Sequence, residues 1–69
     1  MINLLLLPIN SRGIVKKINL NGINIYISVN DKVKIKKITE TNVLILNKTT
    51  QELVELPIEY AKKIQTIPL

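Results

Sequence analysis

The stretch Ile14 to Val29, IVKKINLNGINIYISV, sets two apolar-alternating runs on either side of Asn21-Gly22. That dipeptide is the strongest short-range signal for a two-residue hairpin, because a type I′ turn needs positive φ at both central residues. The pattern predicts a β-hairpin with strands at 14–20 and 23–29. In that register Leu20 faces Ile23, Ile18 faces Ile25, Lys16 faces Ile27 and Ile14 faces Val29 on one side. Asn19 with Asn24, Lys17 with Tyr26 and Val15 with Ser28 fall on the other. A slip of one residue would send the Ile and Leu set to the wrong face, so the alternation specifies its own register.

Working outward, Pro8 to Arg12 is a turn cluster and Gly13 marks entry to the first hairpin strand. Lys16 on the apolar face implies either a bulge at Lys16-Lys17 or a lysine at an open barrel end, its stem buried and its ammonium wet. Upstream, Leu4 to Leu7 reads as a segment packing across the barrel. Downstream, Asn30-Asp31 is a turn. Lys32 to Ile38 is a third strand, with Lys32, Lys34 and Lys36 outward and Val33 and Ile35 inward. Its phase breaks at Lys37-Ile38, which predicts a second bulge or a bend over a barrel corner.

Thr39 to Asn42 turns the chain, and Val43 to Leu46 is a continuous apolar run that suggests a strand buried on both faces. Asn47 to Gln51 is a polar loop, and Glu52 to Leu56 a fifth strand with Val54 and Leu56 inward. Pro57 ends that strand and suits the first turn of a helix. Ile58, Ala61 and Ile64 follow at the spacing of a short 3₁₀ or α turn, and Ile64 to Ile67 forms a last strand. The expected architecture is all-β: one SH3-like small β-barrel over residues 1–69, with five or six short strands and one helical turn before the last.

Composition narrows the chemistry. The chain has 69 residues, no Cys and no His, and is 46% hydrophobic but only 3% aromatic. Its core must come from Ile, Leu and Val, and thirteen Ile favour strands. Without Cys or His there is no disulfide, no thiolate or imidazole metal ligand, and no His to activate the seven Ser and Thr hydroxyls. The carboxylates Asp31, Glu40, Glu52, Glu55 and Glu59 are not placed by motif as paired-carboxylate catalysis requires. Two glycines cannot build a glycine-rich phosphate loop. These readings point to a non-enzymatic protein with no cofactor and no bound metal. The apolar run Met1 to Leu7 is far short of the roughly 20 residues that span a bilayer. It also lacks the basic flank and cleavage site of a signal peptide. A cytoplasmic protein without membrane insertion is expected.

The positive feature is charge. Ten Lys and Arg stand against five Asp and Glu, a net +5, which raises the expectation of an anionic partner. The candidate partner or nucleic-acid surface comprises Lys32, Lys34, Lys36 and Lys37 on the third strand, with Lys17 and Tyr26 side by side on the hairpin. Such a stripe tracks a phosphate backbone, and Tyr26 offers a stacking platform. The Lys62-Lys63 pair suits the C-terminal end of a helix dipole and calls for no partner. The strand Glu52 to Leu56 is the candidate edge for an oligomer contact.

Three patterns resemble one family. Leu7-Pro8 followed by Arg12-Gly13-Ile14-Val15 and Ile18 resembles the opening of FeoA-type domains. Ile27-Ser28-Val29-Asn30-Asp31-Lys32-Val33-Lys34-Ile35 is similar to that family's Ile-x-x-Gly-Asp-x-Val-x-Val strand entry, with Asn30 in place of glycine. Val54-Glu55-Leu56, then Glu59, Ala61 and Ile64, resemble its last strand and Glu-x-Ala-x-x-Ile turn. The resemblance implies an SH3-like barrel acting as a small cytosolic accessory of ferrous-iron uptake, through contact with the membrane transporter FeoB. FeoA domains carry a helix between their first two strands, where this chain has Asn21-Gly22. Two other resemblances imply RNA binding instead. Leu20-Asn21-Gly22 with Val43 to Asn47 is similar to the Sm/Hfq barrels, and Asp31 to Gln65 is similar to the CsrA pattern, without the arginines that would contact RNA.

Overall fold

The computed structural model describes all 69 residues. A short strand β1 (Ile2–Asn3) leads into a 3₁₀ turn (Leu4–Leu6), followed by β2 (Arg12–Ile18), β3 (Lys32–Ile38), β4 (Asn42–Asn47) and β5 (Glu52–Pro57). A single helical turn, α1 (Ile58–Ala61), precedes the last strand, β6 (Ile64–Pro68). All strands are antiparallel and lie in one sheet ordered β1-β6-β2-β3-β4-β5. This is the expected all-β, SH3-like small barrel with its helical turn before the last strand. No helix is long and apolar enough to cross a membrane.

The core is aliphatic. Leu4, Leu7, Val15, Ile25, Ile27, Val33, Ile35, Val43, Ile45, Val54, Leu56, Ala61 and Ile64 form one buried cluster. Leu4 and Leu7 reach it because three residues per 3₁₀ turn bring them to one face, while Leu6 points to solvent. Asn3 starts that turn by accepting a hydrogen bond from the Leu5 N–H (2.9 Å).

Both phase breaks in the sequence are bulges. The β2–β6 register shifts between Val15 and Lys17, and the β3–β4 register shifts between Ile35 and Lys37. Lys16 and Lys36 are therefore the extra residues, and Lys16 reaches the Asn30 side chain (3.2 Å) rather than an apolar face. The expected burial of Val43 to Leu46 on both faces is corrected: Val43 and Ile45 are fully buried, but Leu44 and Leu46 are only half-buried on the outer face. They look across to Lys37 and Lys34 on one side and to Glu55 and Leu53 on the other.

The main correction concerns the hairpin. Residues 23–29 are not a strand, and β2 pairs with β3 instead, Arg12 opposite Lys34, Gly13 opposite Val33 and Ile14 opposite Lys32. Gly22 has the positive φ (71°) expected of a turn, but Asn21 does not, so no type I′ turn forms. Tyr26 and Asn30, at φ 60° and 76°, break the extended backbone a strand would need. Residues 19–31 instead form a long loop that keeps part of the alternation. Ile25 and Ile27 plug the core, whereas Ile23 and Val29 are 43% and 49% exposed.

Side chains supply what a ladder would have supplied. Asn24 Oδ1 accepts from the Tyr26 N–H (3.0 Å) and Asp31 Oδ2 from the Ser28 N–H (2.9 Å). Asn47, fully buried at the end of β4, donates through Nδ2 to Asp31 Oδ2 (2.8 Å) and to the Tyr26 carbonyl (3.3 Å). Its Oδ1 accepts from the Thr49 and Thr50 N–H groups (3.1 and 3.3 Å). One buried amide thus ties the loop to the β4–β5 turn with all of its polar capacity in use.

Candidate docking edge and basic surfaces

The sheet ends on one side at β5, which hydrogen-bonds only to β4. Its outer backbone groups are free to accept another strand. Two large side chains stand beside this edge. Leu53 on β5 is 65% exposed, and Tyr26 on the loop is 65% exposed. They line one shallow hollow of about 370 Å³ together with Glu52, Val54 and Glu55. Tyr26 is held there at a cost, since a bulky residue at positive φ is strained by roughly 1–2 kcal/mol. The Asn24 turn and the Asn47 contact maintain that conformation. A strained residue held in place by its surroundings is a mark of functional positions.

The chemistry of the edge is selective. Glu52 and Glu55 flank Leu53, and Asn42 Nδ2 donates to Glu55 Oε2 (2.7 Å), fixing that carboxylate. Two copies pairing antiparallel keep matching faces together, so pairing about Val54 would set Leu53 against Glu55, and pairing about Glu55 would set that carboxylate directly opposite itself, which destabilises. Pro57 closes the edge at its far end. These features disfavour self-pairing and favour a basic strand.

The basic candidates separate into two places. Lys32, Lys34 and Lys37 do share the outer face of the sheet, and Lys36 is exposed at the bulge. The register of β2 on β3 adds Arg12, directly opposite Lys34. Lys48 joins them, its N–H bonded to the Lys32 carbonyl (2.7 Å). Arg12 went unnoticed in the sequence because its neighbourhood depends on a pairing across the long loop. Lys17, expected beside Tyr26, lies elsewhere: it pairs with Gln65 of β6 and borders a different hollow, whereas Tyr26 faces β5.

Comparison of the chain with protein-family models, with curated proteins and with solved structures finds no significant match.

Proposed function

We propose that the chain is a non-enzymatic accessory module of the FeoA type, docking from the cytosolic side on a ferrous-iron transporter of the FeoB type. The observation that carries the docking reading is the exposed Tyr26–Leu53 pair on the open edge of β5. The mode is strand addition. An extended partner segment bonds to the free side of β5, seats an apolar side chain between Leu53 and Tyr26, and sets a basic residue against Glu52 or Glu55.

Residues that carry the FeoA resemblance serve as barrel-core positions. Val54 and Leu56 form the inward face of β5, and Ala61 and Ile64 bury the face of the helical turn and the start of β6. Residues 19–31 occupy the place of the family's helix as an irregular loop, so contacts made there must come from Tyr26 and its neighbours. Titration calorimetry at low salt with the cytosolic part of a cognate FeoB-type transporter tests the reading. Saturable binding is expected, weakened about tenfold or more by Leu53→Lys, as for an interface anchor. No binding at all overturns it.

A second reading has one observation of its own. Arg12 and Lys34 are cross-strand neighbours, like charges that weaken the sheet unless an anion lies over them. A nucleic-acid backbone along Arg12, Lys32, Lys34 and Lys37 fits that need. It predicts a gel shift with single-stranded RNA at about 50 mM salt, reduced by charge reversal at Lys34 and Lys37.

A further inference from the structure

Lys17 and the adjacent pair Lys62-Lys63 come from separate parts of the chain, and the fold gathers them around one hollow of about 550 Å³, lined also by Met1, Asn19 and Gln65. No carboxylate lines it. Its frame is fixed from three directions. Lys17 is in register with Gln65 across β2 and β6, the Asn19 N–H donates to the Lys63 carbonyl (2.9 Å), and Asn3 Nδ2 donates to the Lys62 carbonyl (3.0 Å). None of the three lysine ammonium groups takes part in a side-chain hydrogen bond, in contrast to Lys16.

Three lysines and no carboxylate among its lining residues make the hollow positively charged, and a multiply charged anion can be neutralised by all three at once. Lysine suits phosphate as a point charge with three rotatable donors, and the Asn19 and Gln65 amides add neutral donors. The hollow contains no aromatic side chain, so it offers nothing for a base to stack on. Its concave form separates it from the flat basic face of β3, which fits an extended strand.

We propose that this hollow is a binding site for a compact polyphosphate anion, held through Lys17, Lys62 and Lys63. The site is independent of the docking reading, since none of its residues lines the Tyr26–Leu53 hollow. The recognised chemistry is a run of linked phosphates, free or as the tail of a nucleotide, and two probes show whether a nucleoside contributes to binding. Inorganic tripolyphosphate and ATP are titrated into the ¹⁵N-labelled protein at low salt, following amide shifts. Both are expected to move Lys17, Asn19, Lys62, Lys63 and Gln65 saturably and with similar affinity. Lys17→Gln with Lys63→Gln should weaken binding about tenfold or more, and added salt should weaken it steeply. The exposed bulge variant Lys36→Gln should leave it unchanged. Shifts centred on Arg12 and Lys34, an unaffected double variant, or binding of ATP alone would each overturn the assignment.

Discussion

Three residues carry roles that their type alone does not announce. Asn47 is the first. It fills four hydrogen-bond positions in a fully buried site, so removing it leaves the Tyr26 carbonyl and two turn N–H groups without this partner and Asp31 Oδ2 with the Ser28 N–H alone. Asn47→Ala is expected to cost about 2–3 kcal/mol in urea unfolding. Asn47→Asp should cost at least as much, because it sets a second carboxylate against Asp31. Tyr26 is the second. Asn tolerates positive φ where Tyr is strained, so Tyr26→Asn should raise stability by about 0.5–1 kcal/mol while abolishing docking. A variant more stable yet inactive marks a residue kept for contact. Gly13 is the third. An added Cβ would lie 2.9 Å from Leu7 Cδ1 and 3.3 Å from the Ile67 carbonyl oxygen. Gly13→Ala should lower stability by about 1 kcal/mol through overpacking, read from the same unfolding curves.

At the scale of elements, the sequence displays those parts of the fold that depend on near neighbours. β3 runs at the expected positions 32–38, the two bulges fall at Lys16 and Lys36, and Pro57 ends β5 and opens the helical turn. Each is a local matter of alternation or of proline geometry. The hairpin fails because its local signal was outweighed by contacts distant in sequence. Asn47 and Asp31 hold the loop, Ile25 and Ile27 still reach the core without a ladder, and β2 finds β3 across residues 19–31. The candidate site was hidden for the same reason. Leu53 and Tyr26 meet only once that loop folds against β5, and Lys17 joins Lys62 and Lys63 only through the β2–β6 pairing. The loop geometry is testable at its bend. In a type I′ turn both central residues resist replacement, whereas here only Gly22 has positive φ. Gly22→Ala should cost about 1 kcal/mol and Asn21→Ala close to nothing, measured by thermal unfolding.

Across the whole molecule, charge is divided rather than spread. Glu52 and Glu55 lie on the open edge, with Glu40 and Glu59 bordering a hollow by α1, while Arg12, Lys32, Lys34 and Lys37 cover the face of β2 and β3. A net charge of +5 thus coexists with an acidic, apolar edge suited to a basic strand. Which of these surfaces meets a protein partner is the central question, and amide hydrogen exchange answers it most directly. The protein is compared free and with the cytosolic part of a FeoB-type transporter. New protection is expected along β5 and at Tyr26, with the amides of Arg12 and Lys32 to Lys37 unchanged. Protection confined to the β2–β3 face, with β5 exchanging as before, would contradict docking at the β5 edge.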